Sequence, residues 1–266
     1  MFISPLPLRR DVAGAELELM IKGEGQPLLF LHAGHGIDAD DPLVALLAQS
    51  FRVIAPSHPG FGASPRPRGV DTVDDLAYVY LDLLEAMDLT EVIVVGVSFG
   101  GWIAAELATK GSDRVARLVL IDAVGVKFGD RDTRDIFDIY GTTIEQIPSL
   151  FFADEAKGMD VLGGLNFKEM DESSVMRFAQ NRESLLLYGW SPTLYNPKLR
   201  DRLRRIRVPT LVLWGAEDQV VPTSYGRRYA AAIAGATYDE VGEAGHYGYL
   251  EQPQAFADKI IAFLTN

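Results

Sequence analysis

Short apolar runs alternate along the chain with stretches whose apolar residues recur every three or four positions. Residues 15–22 alternate apolar and polar side chains, which predicts a half-exposed strand. Residues 28–31, 52–55, 91–97, 117–122 and 210–214 are nearly continuous apolar runs, the pattern of strands covered on both faces. A last strand is predicted over 237–241. Thr72, with Asp75 three residues on, predicts a boxed helix start. Val73, Leu76, Ala77, Tyr80, Leu83, Leu84 and Met87 then follow the 3.6-residue period. Further helices are predicted over 99–110, stopped at Gly111, and over 225–233. A final one over 253–264 has Pro253 at its start and Phe256, Ile260, Ile261 and Leu264 facing inward. Strands alternating with helices predict the α/β class: a doubly wound, mostly parallel central sheet flanked by helices.

Residues 126–208 break this rhythm. They hold no buried-strand pattern but many aromatics: Phe128, Phe137, Tyr140, Phe151, Phe152, Phe167, Phe178, Tyr188, Trp190 and Tyr195. A connection this long exceeds an ordinary strand-to-helix loop. It reads as a helical cap inserted before the strand at 210–214, although plain helices on one sheet face would give a similar pattern. The chain then divides into a core domain, 1–125 and 209–266, and a cap, 126–208.

Composition narrows the chemistry. Of 266 residues, 48% are apolar and 23% charged, which fits a globular protein and excludes a disordered one. The net charge of −12 opposes binding to nucleic acid or anionic lipid. The absence of cysteine excludes disulfides, thiol catalysis and cysteine-held metals. The first eleven residues contain Pro5 and Pro7 but no apolar core of a signal peptide. No apolar run reaches the ~18 residues of a membrane span. The expectation is a cytoplasmic protein, monomer or homodimer, acting on a small molecule without metal or cofactor.

Gly96-Val97-Ser98-Phe99-Gly100 fits G-x-S-x-G. The pattern alone is weak, but here it lies between a predicted strand and a predicted helix, which puts Ser98 on the turn between them. Unpaired N–H groups at the start of that helix favour a developing negative charge. A serine hydroxyl needs a base to become a nucleophile. Of the four histidines, His246 follows the last strand, where a loop can return to the edge that carries Ser98. A base in turn needs a carboxylate to fix its tautomer. Asp218 follows the strand at 210–214, and Glu217 and Asp122 are the alternatives.

The order Ser98, Asp218, His246 resembles that of the α/β-hydrolase superfamily. Other segments resemble it too: His32-Ala33-Gly34-His35-Gly36 after an early strand, Pro59-Gly60-Phe61-Gly62-Ala63-Ser64, Val208-Pro209-Thr210 leading to Trp214-Gly215-Ala216-Glu217-Asp218, and Glu251-Gln252-Pro253 after Gly245-His246. The usual His-Gly pair is His32-Ala33 here, and Ser57-His58 replaces the usual Asp before P-G-x-G. The resemblance implies the α/β-hydrolase fold with a cap. It also implies an oxyanion hole made by the N–H groups of Gly34 and Phe99. His32, His35 and His58 are then structural or pocket-lining residues. The run Arg200, Arg202, Arg204, Arg205 and Arg207 reads as a solvated linker. Met159, Met170 and Met176 would add adaptable apolar contact.

The function implied is a serine hydrolase, a carboxylesterase acting on small to medium acyl groups. One alternative is a C–C hydrolase of a vinylogous diketone. Such enzymes usually carry a Trp after the catalytic His, where Tyr247 stands, and a cap arginine, for which Arg177 or Arg182 could serve. A non-catalytic small-molecule receptor on the same fold is the other alternative.

Overall fold

The computed structural model describes residues 8–161 and 170–265. Phe167, Pro5 and Pro7 lie outside the described residues. The strands are β1 (Leu8–Val12), β2 (Ala15–Lys22), β3 (Pro27–Leu31), β4 (Arg52–Pro56), β5 (Val92–Val97), β6 (Val115–Ile121), β7 (Thr210–Gly215) and β8 (Thr237–Val241). They form one sheet in the order β1-β2-β4-β3-β5-β6-β7-β8. From β4 to β8 all neighbours are parallel, whereas β1 and β2 run antiparallel at one edge. Every residue of β5 and β7 is buried, which is why their sequences read as unbroken apolar runs. Burying each such Val, Leu or Ile contributes about 1.5–3 kcal/mol.

Between the strands lie α1 (Pro42–Leu47), α2 (Val73–Ala86) and α3 (Phe99–Thr109), and later α8 (Thr223–Ala231), α9 (Gly248–Glu251) and α10 (Pro253–Thr265). The Thr72–Asp75 capping box is formed as predicted, and α2 turns Leu76, Ala77, Tyr80 and Leu83 into the core. α2 packs on α3, and α1 on α10. Residues between β6 and β7 carry α4 (Ile147–Phe151), α5 (Glu155–Val161), α6 (Glu172–Gly189) and α7 (Leu199–Arg202), and no strand among the described residues. Among the described residues, no helix is long and apolar enough to cross a membrane.

The chain runs from β3 outward to β4 and then returns to place β5 on β3's other side. The C-terminal ends of β3 and β5 therefore flank a switch point, where open α/β sheets leave a crevice. β5 hands over to α3 there in a single residue, Ser98, with φ 52° and ψ −110°. The close approach needs glycine. A Cβ on Gly100 would overlap the carbonyl oxygen of Leu31 and lie 2.5 Å from that of His32. These are backbone atoms and cannot swing aside. Gly100→Ala is therefore expected to destabilise the protein by about 1–3 kcal/mol, read as a lower urea midpoint.

Candidate active site

Three loops at the C-terminal ends of the strands bring Ser98, Asp218 and His246 together. Ser98 follows β5, and its N–H donates to the Ile121 carbonyl at the end of β6 (2.8 Å). Asp218 lies three residues past β7, and His246 lies five past β8. Ser98 Oγ is 2.7 Å from His246 Nε2. His246 Nδ1 is 2.8 Å from Asp218 Oδ2. An ionised carboxylate only accepts hydrogen bonds, so Nδ1 carries the proton. Nε2 is then bare and accepts the Ser98 hydroxyl proton. The other oxygen of Asp218, Oδ1, accepts the N–H groups of Val220 and Val221, both at 2.8 Å. All three side chains are buried, so the pair acts in a medium that screens it little. Glu217 is exposed beside its neighbour, and among the described residues His246 pairs with no carboxylate but that of Asp218, so neither alternative acid takes its place.

The cavity against Ser98 is lined by Gly34, Phe99, Val124, Ile139, Phe151, Leu185, Leu194, Val220, His246 and Tyr247. Its volume is about 10 Å³, about the room one water needs. The N–H of Phe99 opens α3 and so has no acceptor one turn back. The N–H of Gly34 finds no acceptor among the described residues. A Cβ on Gly34 would lie 2.6 Å from Leu185, so glycine lets α6 close over this loop.

α6 is fastened to the two loops below it. Ser184 Oγ donates to the Gly60 carbonyl (2.6 Å), the Tyr188 hydroxyl to that of Pro59 (3.1 Å), and Asn181 Nδ2 to that of His35 (2.7 Å). Sequence reasoning missed a second fastening. Glu251 accepts the N–H of Gly245, beside His246, and those of Ala153 and Asp154, just past α4. Its only sequence signal is its place in the Glu-Gln-Pro segment.

The remaining expectations divide. His32 and His58 lie fully buried with their rings stacked 3.6 Å apart. The His58 N–H donates to His32 Nε2, and His58 Nε2 donates to the His32 carbonyl, both at 3.0 Å. His58 Nδ1 meets the Tyr80 hydroxyl. His32 Nδ1 donates to the Ala33 carbonyl (2.7 Å), so each ring donates once and accepts once, which is the neutral form. His35 packs its ring on Tyr247, with centroids 4.6 Å apart. Among the described residues, no three acidic or histidine side chains are grouped to hold a metal ion.

Met159 and Met176, expected in contact with the cavity, are exposed instead, as are Phe137 and Trp190. Phe151 and Leu185 take the places against Ser98. The arginine run is not merely solvated. Arg205 Nε donates to the Thr109 carbonyl (3.0 Å), and Arg202 lies 3.6 Å from Asp74. With Lys110, these arginines line an open groove of about 910 Å³ that contains none of Ser98, Asp218 or His246.

Burial holds the His58 imidazole down, to about 3, with the bond to His32 opposing. Its ring resonances are expected to stay at their neutral positions in an NMR titration from pH 8 to 5. Since an unfolded histidine takes up its proton near pH 6.5, this group loses the fold up to about 1.4 kcal/mol per pH unit as pH falls from there toward 3.

The sequence matches the alpha/beta hydrolase family over residues 28–259. It is 30% identical over 260 residues to 2-hydroxy-6-oxo-2,4-heptadienoate hydrolase of Pseudomonas putida strain F1, covering 95% of this chain and 94% of that one. It is 31% identical over 269 residues to 2-hydroxymuconate semialdehyde hydrolase of Pseudomonas sp. strain CF600, covering 95% and 92%. Its structure resembles that of a meta-cleavage product hydrolase from Pseudomonas fluorescens IP01, with a TM-score of 0.79, 25% identity and 98% of both chains covered.

Proposed function

The chain belongs to the alpha/beta hydrolase family and has its fold, and on that premise we propose that it hydrolyses a carbon–carbon bond in a 2-hydroxy-6-oxo-2,4-dienoate through an acyl-enzyme on Ser98. The observation that carries the substrate class is the 30–31% identity, over 95% of the chain, to two hydrolases named for such compounds. The relatives favour this reading over the carboxylic ester expected first from the sequence.

The geometry supports a sequence of steps that uses only the chain's own groups. Ser98 Oγ attacks the 6-oxo carbon while His246 Nε2 takes its proton. The N–H groups of Gly34 and Phe99 meet the resulting oxyanion. Collapse of the tetrahedral intermediate breaks the adjacent carbon–carbon bond. For this the substrate has first taken its 2-oxo-3-ene form, the 2-hydroxyl proton having moved to C5, so that the electron pair of the breaking C5–C6 bond passes through C4 and C3 into the 2-oxo group, whose oxygen takes the proton from His246. Water, deprotonated by His246, then attacks the acyl-enzyme, releasing a carboxylic acid and regenerating Ser98. One water is consumed in all. Asp218 fixes the tautomer throughout and stabilises the imidazolium.

Residues 126–208 act as the cap in this reading. A cavity of about 10 Å³ cannot hold the substrate, so part of this segment moves to admit it. The dienoate carboxylate needs a cation. Arg177 lies 3.6 Å from Asp38 at an exposed site, whereas half-buried Arg182 on α6 exerts its charge on the hydroxyls of Tyr140 and Tyr247, the latter beside His246. Arg182 is the better placed.

The uncharged wall around Ser98 and Tyr247 favour ester cleavage as a second reading. Side-by-side steady-state kinetics separate the two. Purified protein is expected to show a far higher kcat/KM for 2-hydroxy-6-oxo-2,4-heptadienoate than for p-nitrophenyl acetate. Efficient ester turnover with no cleavage of the dienoate would replace the first reading by the second.

A further inference from the structure

A second buried carboxyl stands behind the first. Asp122 ends β6 with φ 45°, a left-handed conformation that Asp adopts more readily than most residues. Its N–H donates to the Leu213 carbonyl (3.1 Å), and its Oδ1 accepts the Gly215 N–H (2.7 Å), both on β7. The side chain is fully buried. Its Oδ2 has no hydrogen-bond partner among the described residues. Gly215 links Asp122 to Asp218, giving its N–H to Asp122 and accepting the Asp218 N–H on its carbonyl (3.3 Å), and the charges of Asp218 and then of Glu251 act on the Asp122 carboxyl. On β8 the Tyr238 phenol, which bonds Thr223 and Glu240, is raised above its usual range first by burial, and the Asp122 charge acts on it in the same direction. Among the described residues, no lysine or arginine forms an ion pair with Asp122 or Asp218, and the only partner of that kind is His246, on Asp218.

Two carboxylates cannot meet in such a place. Each would repel the other in a medium of low screening, and Asp122 Oδ2 has no donor to offset its charge. One proton on the pair removes the repulsion. Asp218 holds two N–H groups on Oδ1, from Val220 and Val221, and His246 Nδ1–H on Oδ2, all of which favour its charged form and leave one lone pair on Oδ2. Asp122 has a single backbone donor.

We infer that Asp122 is a positioning residue kept as a neutral carboxylic acid, which donates its proton to the Asp218 carboxylate and so fixes the group that orients His246. Burial and the neighbouring Asp218 charge both drive the Asp122 carboxyl well above the usual carboxylate range, in the same direction. The arrangement explains why a carboxylate with one face toward His246 does not turn away from it. It also explains why a buried oxygen that lacks an N–H donor is tolerated.

The inference rests on the proposed roles of Ser98, His246 and Asp218, so its test includes a readout that needs no substrate. At pH 8 the infrared spectrum of the wild-type protein is expected to contain the C=O stretch of a protonated carboxyl, and Asp122→Asn to lack it. The rate of Ser98 labelling by a fluorophosphonate, and kcat/KM on whichever substrate is turned over, are then followed against pH. Asp122→Asn keeps a donor for Asp218 and an acceptor for Gly215, so it is expected to stay within about threefold of wild type. Asp122→Leu removes both and is expected to lose about tenfold to a hundredfold in kcat with KM little changed. Circular dichroism and thermal melting show whether each variant is folded. Should Asp122→Leu fail to fold, the infrared band and the Asp122→Asn pH profile decide. An ionised Asp122 would show no band, and its replacement by Asn would shift the acid limb of the profile to lower pH. Either result overturns the inference, as does equal activity in folded Asn and Leu variants.

Discussion

Ser98→Ala is expected to lower kcat by about a millionfold while the protein stays folded. The hydroxyl is the one group 2.7 Å from His246 Nε2, and nothing else in the cavity wall is a nucleophile. The remaining wall is apolar apart from His246 and the Tyr247 phenol, which burial holds protonated. What survives is the help of the Gly34 and Phe99 N–H groups and of binding, worth about 10³–10⁴ over water in related triads. Alanine adds no bulk at the turn, and it meets the same positive φ that serine already tolerates. Thermal melting should therefore change little. The measurement is kcat on a turned-over substrate beside the melting curve. A variant that retained even a hundredth of the rate would show that another group attacks.

Asp218→Asn is expected to cost about 10⁴ in kcat, for a reason specific to the surroundings of this carboxylate. Oδ1 accepts two N–H groups, from Val220 and Val221. An asparagine must keep its own oxygen there, which forces its NH₂ toward His246. A donor facing Nδ1 drives the imidazole proton onto Nε2. That nitrogen then donates to Ser98 Oγ and can no longer take its proton. The shape is preserved and the tautomer is reversed, so kcat should fall far more than substrate affinity. Steady-state kinetics give the rates, and a nitrogen-edited NMR spectrum of His246 reports the tautomer. A variant that loses the rate but keeps the proton on Nδ1 would contradict this explanation.

The parts of the molecule that were legible in sequence share a physical cause. β3, β4, β5 and β7 lie within a residue or two of their expected positions, because a strand covered on both faces must be apolar throughout. Helix α2 announced itself through its cap and its period. β1 did not. Its residues Leu8-Arg9-Arg10-Asp11-Val12 sit at an exposed sheet edge, held by pairing with β2 rather than by a buried face. α1 and α9, of six and four residues, are too short to show a period. Ser98, Asp218 and His246 were legible because each follows a strand, in a spacing that the fold brings to one rim. The contacts that hold them were not. Glu251 reaches Ala153, and Asp122 reaches Gly215, across 98 and 93 residues, and no local pattern records such pairings. Asp122 was visible only as a rival acid for His246, and its place behind Asp218 depends on β6 lying beside β7.

The central claim is that Ser98 becomes covalently acylated during turnover. Rapid-quench mass spectrometry of the protein mixed with excess 2-hydroxy-6-oxo-2,4-heptadienoate, followed by peptide mapping, tests it directly. The account predicts an acyl mass on the peptide containing Ser98 that forms and decays no more slowly than the enzyme turns over. Full turnover with no adduct, or an adduct on another residue, would contradict it.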